Sequence, residues 1–185
     1  MISNRKKEDG GRLLAVRFLY SKKERRVLLS LLKADYRFDS ILDITPEDIK
    51  RTGAKFVLLD TDNTLALHGS QKPLEGVSEW IENIRKNGIE PIILSNNDKE
   101  RIEPFAKKLG IPFVYKSAKP LKKGFKIACR KLGAKPCETA VIGDQLFTDV
   151  LGGRIFGSKV FLTEPLGPET NYFIKIKRIF EKPFR

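Results

Sequence analysis

From residue 55 onward, short apolar runs alternate with longer amphipathic stretches. Residues 55–60 hold Phe56, Val57, Leu58 and Leu59 with no polar break, the composition of a strand buried on both faces. Similar short runs predict strands over 90–95, 112–115, 139–143 and 159–162. Between them, apolar residues at helical spacing predict helices over 74–87, 99–109, 121–132 and 145–155. The first three of these stop at Gly88, Gly110 and Gly133, where glycine can take the left-handed turn that ends a helix. Upstream, Thr45-Pro46-Glu47-Asp48 reads as a helix start, with a capping Thr, Pro at the first position and acids in the first turn, and this helix ends near Gly53. Residues 12–33 also follow a helical period, with Lys22, Lys23, Arg25 and Arg26 set between apolar positions. Strands and helices alternating in this way predict an α/β fold: a three-layer, Rossmann-like parallel sheet covered by helices on both sides. An extra helical segment precedes it.

Composition narrows the picture. The 41% apolar fraction suits a globular chain, and no run of residues is long and apolar enough to span a bilayer. Cys129 and Cys137 stand apart with no histidine or further cysteine near them, so neither a structural disulfide nor a thiol metal site is expected, and a reducing cytoplasm is the expected compartment. The only histidine, His68, is read as a loop residue. The net charge is +13, unevenly placed. Residues 1–33 hold ten Lys or Arg against three acids, and residues 169–185 hold five against two. The chain thus divides into a basic N-terminal segment (1–54), a nearly balanced catalytic core (55–168) and a basic amphipathic C-terminal tail (169–185). Basic ends suit an anionic surface. No aromatic pattern of an RNA-stacking module accompanies them, so nucleic acid is not the expected partner.

In a doubly wound sheet, ligands bind at the carboxyl ends of the strands. Four such positions carry suggestive chemistry. Asp60 and Asp62 follow the first core strand, and two carboxylates so close repel unless a cation sits beside them. Ser95-Asn96 closes the second strand, where a hydroxyl and helix-start N–H groups can hold phosphate oxygens. Lys119 stands before Pro120, just ahead of the next helix. Gly143-Asp144 closes the fourth strand, with Asp149 one helical turn on, and hard oxygen ligands of this kind select magnesium. Taken singly, each is also a common cap, turn or surface residue.

Together and in this order, they resemble the motifs of the haloacid dehalogenase superfamily over roughly residues 55–162. Two stretches, Leu58-Leu59-Asp60-Thr61-Asp62-Asn63-Thr64-Leu65 and Gly143-Asp144-Gln145-Leu146-Phe147-Thr148-Asp149-Val150-Leu151-Gly152-Gly153, are similar to subfamily IIIA and, within it, the YqeG-type group. The lead-in Leu32-Lys33-Ala34-Asp35-Tyr36 is similar too, while Thr61 stands where that group often has an apolar residue. The resemblance implies a phosphatase in which Asp60 attacks phosphorus and Asp62 handles the leaving-group and water protons. It further implies that Lys119 supplies positive charge, that Ser95 and Asn96 bind the phosphate, and that Mg2+ is held by Asp60, Asp144, the Asp62 carbonyl and, in support, Asp149. A carboxylate meeting a phosphate dianion at about 4 Å faces roughly 8 kcal/mol of repulsion at an effective dielectric near 20, so cations are needed. Neither gap between motifs has room for a cap domain. An open site fits either a phospholipid headgroup, with phosphatidylglycerophosphate implied by the resemblance, or a small phosphate ester such as a sugar phosphate, covered by an oligomeric neighbour. In the first case the basic ends would rest on an anionic membrane. The remaining reading, a nucleic-acid binder with a relic fold, conflicts with the full set of acids.

Overall fold

Among the described residues, six strands, β1 (Tyr36–Phe38), β2 (Phe56–Leu59), β3 (Glu90–Leu94), β4 (Phe113–Val114), β5 (Thr139–Gly143) and β6 (Lys159–Thr163), run parallel in one sheet. Their order across it is β1-β6-β5-β2-β3-β4. Between and before the core strands the described residues form helices α1 (Pro46–Arg51), α2 (Val77–Lys86), α3 (Lys99–Leu109), α4 (Lys122–Leu132) and α5 (Leu151–Phe156). The structure is a computed structural model that describes Val27, residues 29–167 and Glu181. Of the helical segment read over residues 12–33, positions 12–26 and 28 lie outside the described residues, as does the basic amphipathic tail 169–185 apart from Glu181.

The central strands show why the sheet has helices on both faces. Side chains alternate along a strand, so an unbroken apolar run must be covered twice. Val57 and Leu59 of β2 join Ala140 and Ile142 of β5 in one core, packed by Ile49 of α1, Ile81 and Ile84 of α2, and Ile102 and Phe105 of α3. Leu58 of β2 and Val141 of β5 face the other way, toward Phe125 and Ala128 of α4. A third cluster, with Leu32, Leu146, Val150, Val160 and Leu162, covers the β6 side.

Local sequence sets the element ends. Thr45 Oγ1 accepts from Asp48 N at 3.2 Å and Asp48 Oδ2 accepts from Thr45 N at 3.0 Å, a reciprocal cap with Pro46 in the first helical position. α3 occupies its predicted span and closes on Gly110, at φ +63°. Two features depart from the sequence reading. Residues 36–38, given no element there, form β1 and pair with β6. The lead-in is stitched to that strand by Asp35, which donates its N–H to Val160 O (2.9 Å) and accepts from Val160 N (2.8 Å). The predicted helix over 145–155 begins as a π turn, Leu146–Val150, before α5.

Candidate active site

The chain leaves β2 toward one edge of the sheet and β5 toward the other, so the crevice between their carboxyl ends is a topological switch point. Asp60 directly follows β2, and its N–H extends the ladder to Ile142 O at 2.9 Å. Asp144 directly follows β5. The π turn then swings Asp149 back across Gly143, where a Cβ would lie 2.5 Å from the Asp149 carboxyl. Only glycine leaves room for that carboxylate. Asp60, Asp144 and Asp149 come together with ligand oxygens all within 4.8 Å of one another, and all three are buried.

Lys119 reaches this cluster from the loop between β4 and α4. Its Nζ donates to Asp60 Oδ1 at 2.6 Å and to Asp149 Oδ1 at 2.7 Å. In this loop Ala118 stands at φ +56° and the Lys119–Pro120 bond is cis. Asn96 grips it: Oδ1 accepts from Ser117 Oγ and Lys119 N, both at 2.7 Å, and Nδ2 donates to Lys119 O at 3.2 Å. Both ends of the Asn96 amide therefore face the Lys119 loop. Ser95 is buried beside it, its Oγ accepting from Asn97 N (3.3 Å) and Asn97 Nδ2 (3.2 Å).

Asp62 lies outside the three-carboxylate cluster and has its own surroundings. Its Oδ2 accepts from Asn97 Nδ2 at 2.7 Å, and its Oδ1 accepts from Gly69 N at 3.1 Å and from Arg101 Nη2. Arg101 also donates to Gly69 O at 2.9 Å and to Ser70 O at 3.3 Å, binding the loop after β2 to α3. His68 Nδ1 stands 3.8 Å from Asp62 Oδ2. The sequence reading did not single out Arg101, nor Asn97 as a partner of Asp62. Asn97 could have been found from its place beside Ser95 and Asn96. Arg101, one of 36 basic residues, carries no local signal.

Electrostatics separates the two acids. Burial pushes the Asp60 carboxyl up to about 7, with Asp149 and Asp62 adding to the rise and Lys119 only partly opposing it. For Asp62, burial also acts upward, but hydrogen bonds from Asn97 and Gly69 and the Arg101 guanidinium outweigh it and hold the carboxyl below the usual carboxylate range. Lys119 behaves likewise: burial favours the neutral amine, yet Asp149 and Asp60 together raise its affinity for the proton.

The carboxylates of Asp60, Asp144 and Asp149 thus crowd together in a buried place, with the Lys119 ammonium between two of them. All the donors are hard oxygens. That set fits a divalent cation, and Asp60, Asp144 and Asp149 are the residues that would hold it.

Residues 14–157 match the family of haloacid dehalogenase-like hydrolases. The chain is 38% identical over 143 residues to the probable phosphatase YqeG of Bacillus subtilis (strain 168), covering 77% of this chain and 83% of that protein. Solved structures share the fold, two of them as follows. A HAD family hydrolase from Deinococcus radiodurans R1, with bound phosphate and sodium, superposes with a TM-score of 0.53 at 17% identity, over 69% of this chain and 89% of that one. An uncharacterised protein from Listeria monocytogenes serotype 4b gives 0.53 at 19% identity, over 63% and 84%.

Proposed function

Because this chain belongs to the haloacid dehalogenase-like hydrolases and is a phosphatase, we propose that it hydrolyses a phosphate monoester through a phosphorylated Asp60, with magnesium at Asp60, Asp144 and Asp149. One observation carries this reading. Asp60 directly follows the central strand, within hydrogen-bond reach of a buried lysine and within 4.8 Å of two further carboxylates. A carboxylate so placed is a nucleophile beside the positive charge its phosphate partner needs.

In the first half-reaction an Asp60 oxygen bonds to phosphorus, the P–O ester bond breaks, and the leaving alkoxide takes a proton from Asp62. In the second, water attacks phosphorus, Asp62 takes the water proton, and the bond from phosphorus to Asp60 breaks. A cation held by Asp60, Asp144 and Asp149 would supply charge neutralisation for nucleophile and phosphate. Lys119 adds a fixed positive charge and holds Asp60 in place. The Ser95 hydroxyl, an acceptor in both of its bonds to Asn97, keeps its own proton to donate to a phosphate oxygen. Asn96 is assigned to shaping the Lys119 loop. Asp62 enters the first half-reaction protonated, and the bonds from Asn97, Gly69 and Arg101 favour the carboxylate it becomes on giving that proton up, the form that activates water.

The substrate proposed is a phosphate carried on a phospholipid headgroup, phosphatidylglycerophosphate being the candidate, and met by a cytoplasmic enzyme at the membrane surface. Two facts support it: no cap domain is inserted between β2 and β6, and the chain carries a net charge of +13. Among the described residues no helix is long and apolar enough to cross a membrane.

Two experiments test the proposal. Asp60→Asn should fold normally and lose at least about a thousandfold in turnover, the scale on which losing a nucleophile acts. Substantial activity in that folded variant would sink the mechanism. A screen with and without magnesium should show turnover only with the metal, and phosphatidylglycerophosphate ahead of sugar phosphates and nucleotides. Faster cleavage of sugar phosphates would replace the lipid reading with a small-metabolite phosphatase.

A further inference from the structure

Glu181 is fully buried, and the proposed reaction does not use it. Its Oε1 accepts from Leu146 N at 2.9 Å and from Phe147 N at 3.4 Å, across 35 and 34 positions of sequence. These are the first backbone donors of the π turn that carries Asp149. The turn has no cap of its own: Gln145, in the capping position, makes no side-chain capping bond. The next donor back, Gln145 N, goes to Asp149 Oδ2 at 3.2 Å. A helix start without a local cap leaves donors that must be met from elsewhere, and a carboxylate there also suits the positive end of the helix.

The shape of this turn matters at the scale of an ångström. Asp149 lies against the bare Cα of Gly143, closer than any Cβ would allow, and from there it holds Lys119 at 2.7 Å. A change in the turn is therefore felt at Asp149, at Lys119 and at the three-carboxylate cluster.

We propose that Glu181 is a positioning residue: by capping Leu146 and Phe147 from far along the chain, it fixes the turn that aims Asp149 and so completes the cation site. The cation part of this inference rests on the magnesium site proposed above.

The test compares Glu181→Ala and Glu181→Gln with the wild type in the full chain. Three quantities are read: magnesium affinity by calorimetry, amide hydrogen exchange at Leu146 and Phe147, and turnover. Glu181→Ala should weaken magnesium binding about tenfold or more, the usual effect of removing an outer support of a metal site. It should also speed exchange at both amides and lower kcat with little change in KM. Glu181→Gln keeps an oxygen that accepts the same two N–H groups, and it should stay within about threefold of the wild type. Wild-type magnesium affinity and wild-type exchange in Glu181→Ala would overturn the proposal. So would a Gln variant as impaired as the Ala variant, or an Ala variant that only melts earlier. If Glu181→Ala fails to fold, exchange and affinity in Glu181→Gln decide. If the wild type binds no magnesium, the metal site falls, and the exchange rates still judge Glu181.

Discussion

At Asp62 three donors from three parts of the chain converge on one carboxylate: Asn97 beyond β3, Gly69 in the loop after β2, and Arg101 on α3. Each favours the ionised form, and together they overcome burial. Arg101 contributes both charge and hydrogen bonding, so Arg101→Met should raise the Asp62 pKa. In the pH profile of kcat/KM, the apparent pKa of the limb that belongs to Asp62 should move upward, toward neutrality. The stability consequence has a definite sign. A carboxyl whose folded pKa lies below its unfolded value stabilises the protein above the unfolded value, near 4, and that contribution is lost as pH falls through the folded value. The wild type should therefore lose stability on acidification below about pH 4, and Arg101→Met should show a shallower acid limb in urea unfolding. An unchanged profile on both counts would mean that the guanidinium only ties down the Gly69–Ser70 loop.

At the element scale, glycines set how closely helices approach the site loops. A Cβ on Gly124 of α4 would sit 2.4 Å from Ser117 O and 2.8 Å from Ser117 Cα, so the helix lies directly on the backbone leading to Lys119. Gly124→Ala should cost about 1–3 kcal/mol through overpacking. It should lower the melting temperature by roughly 2–4 °C for each kcal/mol and reduce turnover by displacing Lys119, as calorimetry and assay would show. The regular elements were legible because their local signals agreed. α3 has amphipathic spacing and a terminal Gly110, and β2 is a wholly apolar run between polar residues. β1 was not legible because Tyr36-Arg37-Phe38 is an edge strand too short to show a period, made by pairing with β6. The π turn was hidden because its apolar pattern is that of an ordinary helix start. Of the residues expected at the site, Asp60, Lys119, Asp144 and Asp149 were legible as positions at the mouth of the sheet, and the structure brings these four together. Arg101 and Glu181 reach the site by tertiary contact alone, which no local pattern records.

Over the whole molecule, the unequal spread of charge argues for a surface-seeking enzyme. Fifteen Lys or Arg lie in the two basic ends, residues 1–33 and 169–185. Each cation near an anionic leaflet adds about 1 kcal/mol of attraction, and salt shortens its reach. Sedimentation with liposomes should show binding that rises with anionic lipid and falls with salt. A protein that ignores anionic liposomes at low salt would leave the membrane reading without support. The strand order has another consequence, for how the molecule is made. β2 sits mid-sheet, between its early partner β3 and its late partner β5. Lys119 lies 59 positions beyond Asp60, and β5 comes later still. While the nascent chain leaves the ribosome, the first half of the fold can assemble on β2 and β3, yet one edge of β2 stays bare until β5 emerges. An apolar strand edge open to pairing is a target for misassociation and for chaperones. The carboxylates of the site, drawn from both sides of that seam, meet only when it closes, so the nascent chain acquires its charge-dense centre after most of its core has formed.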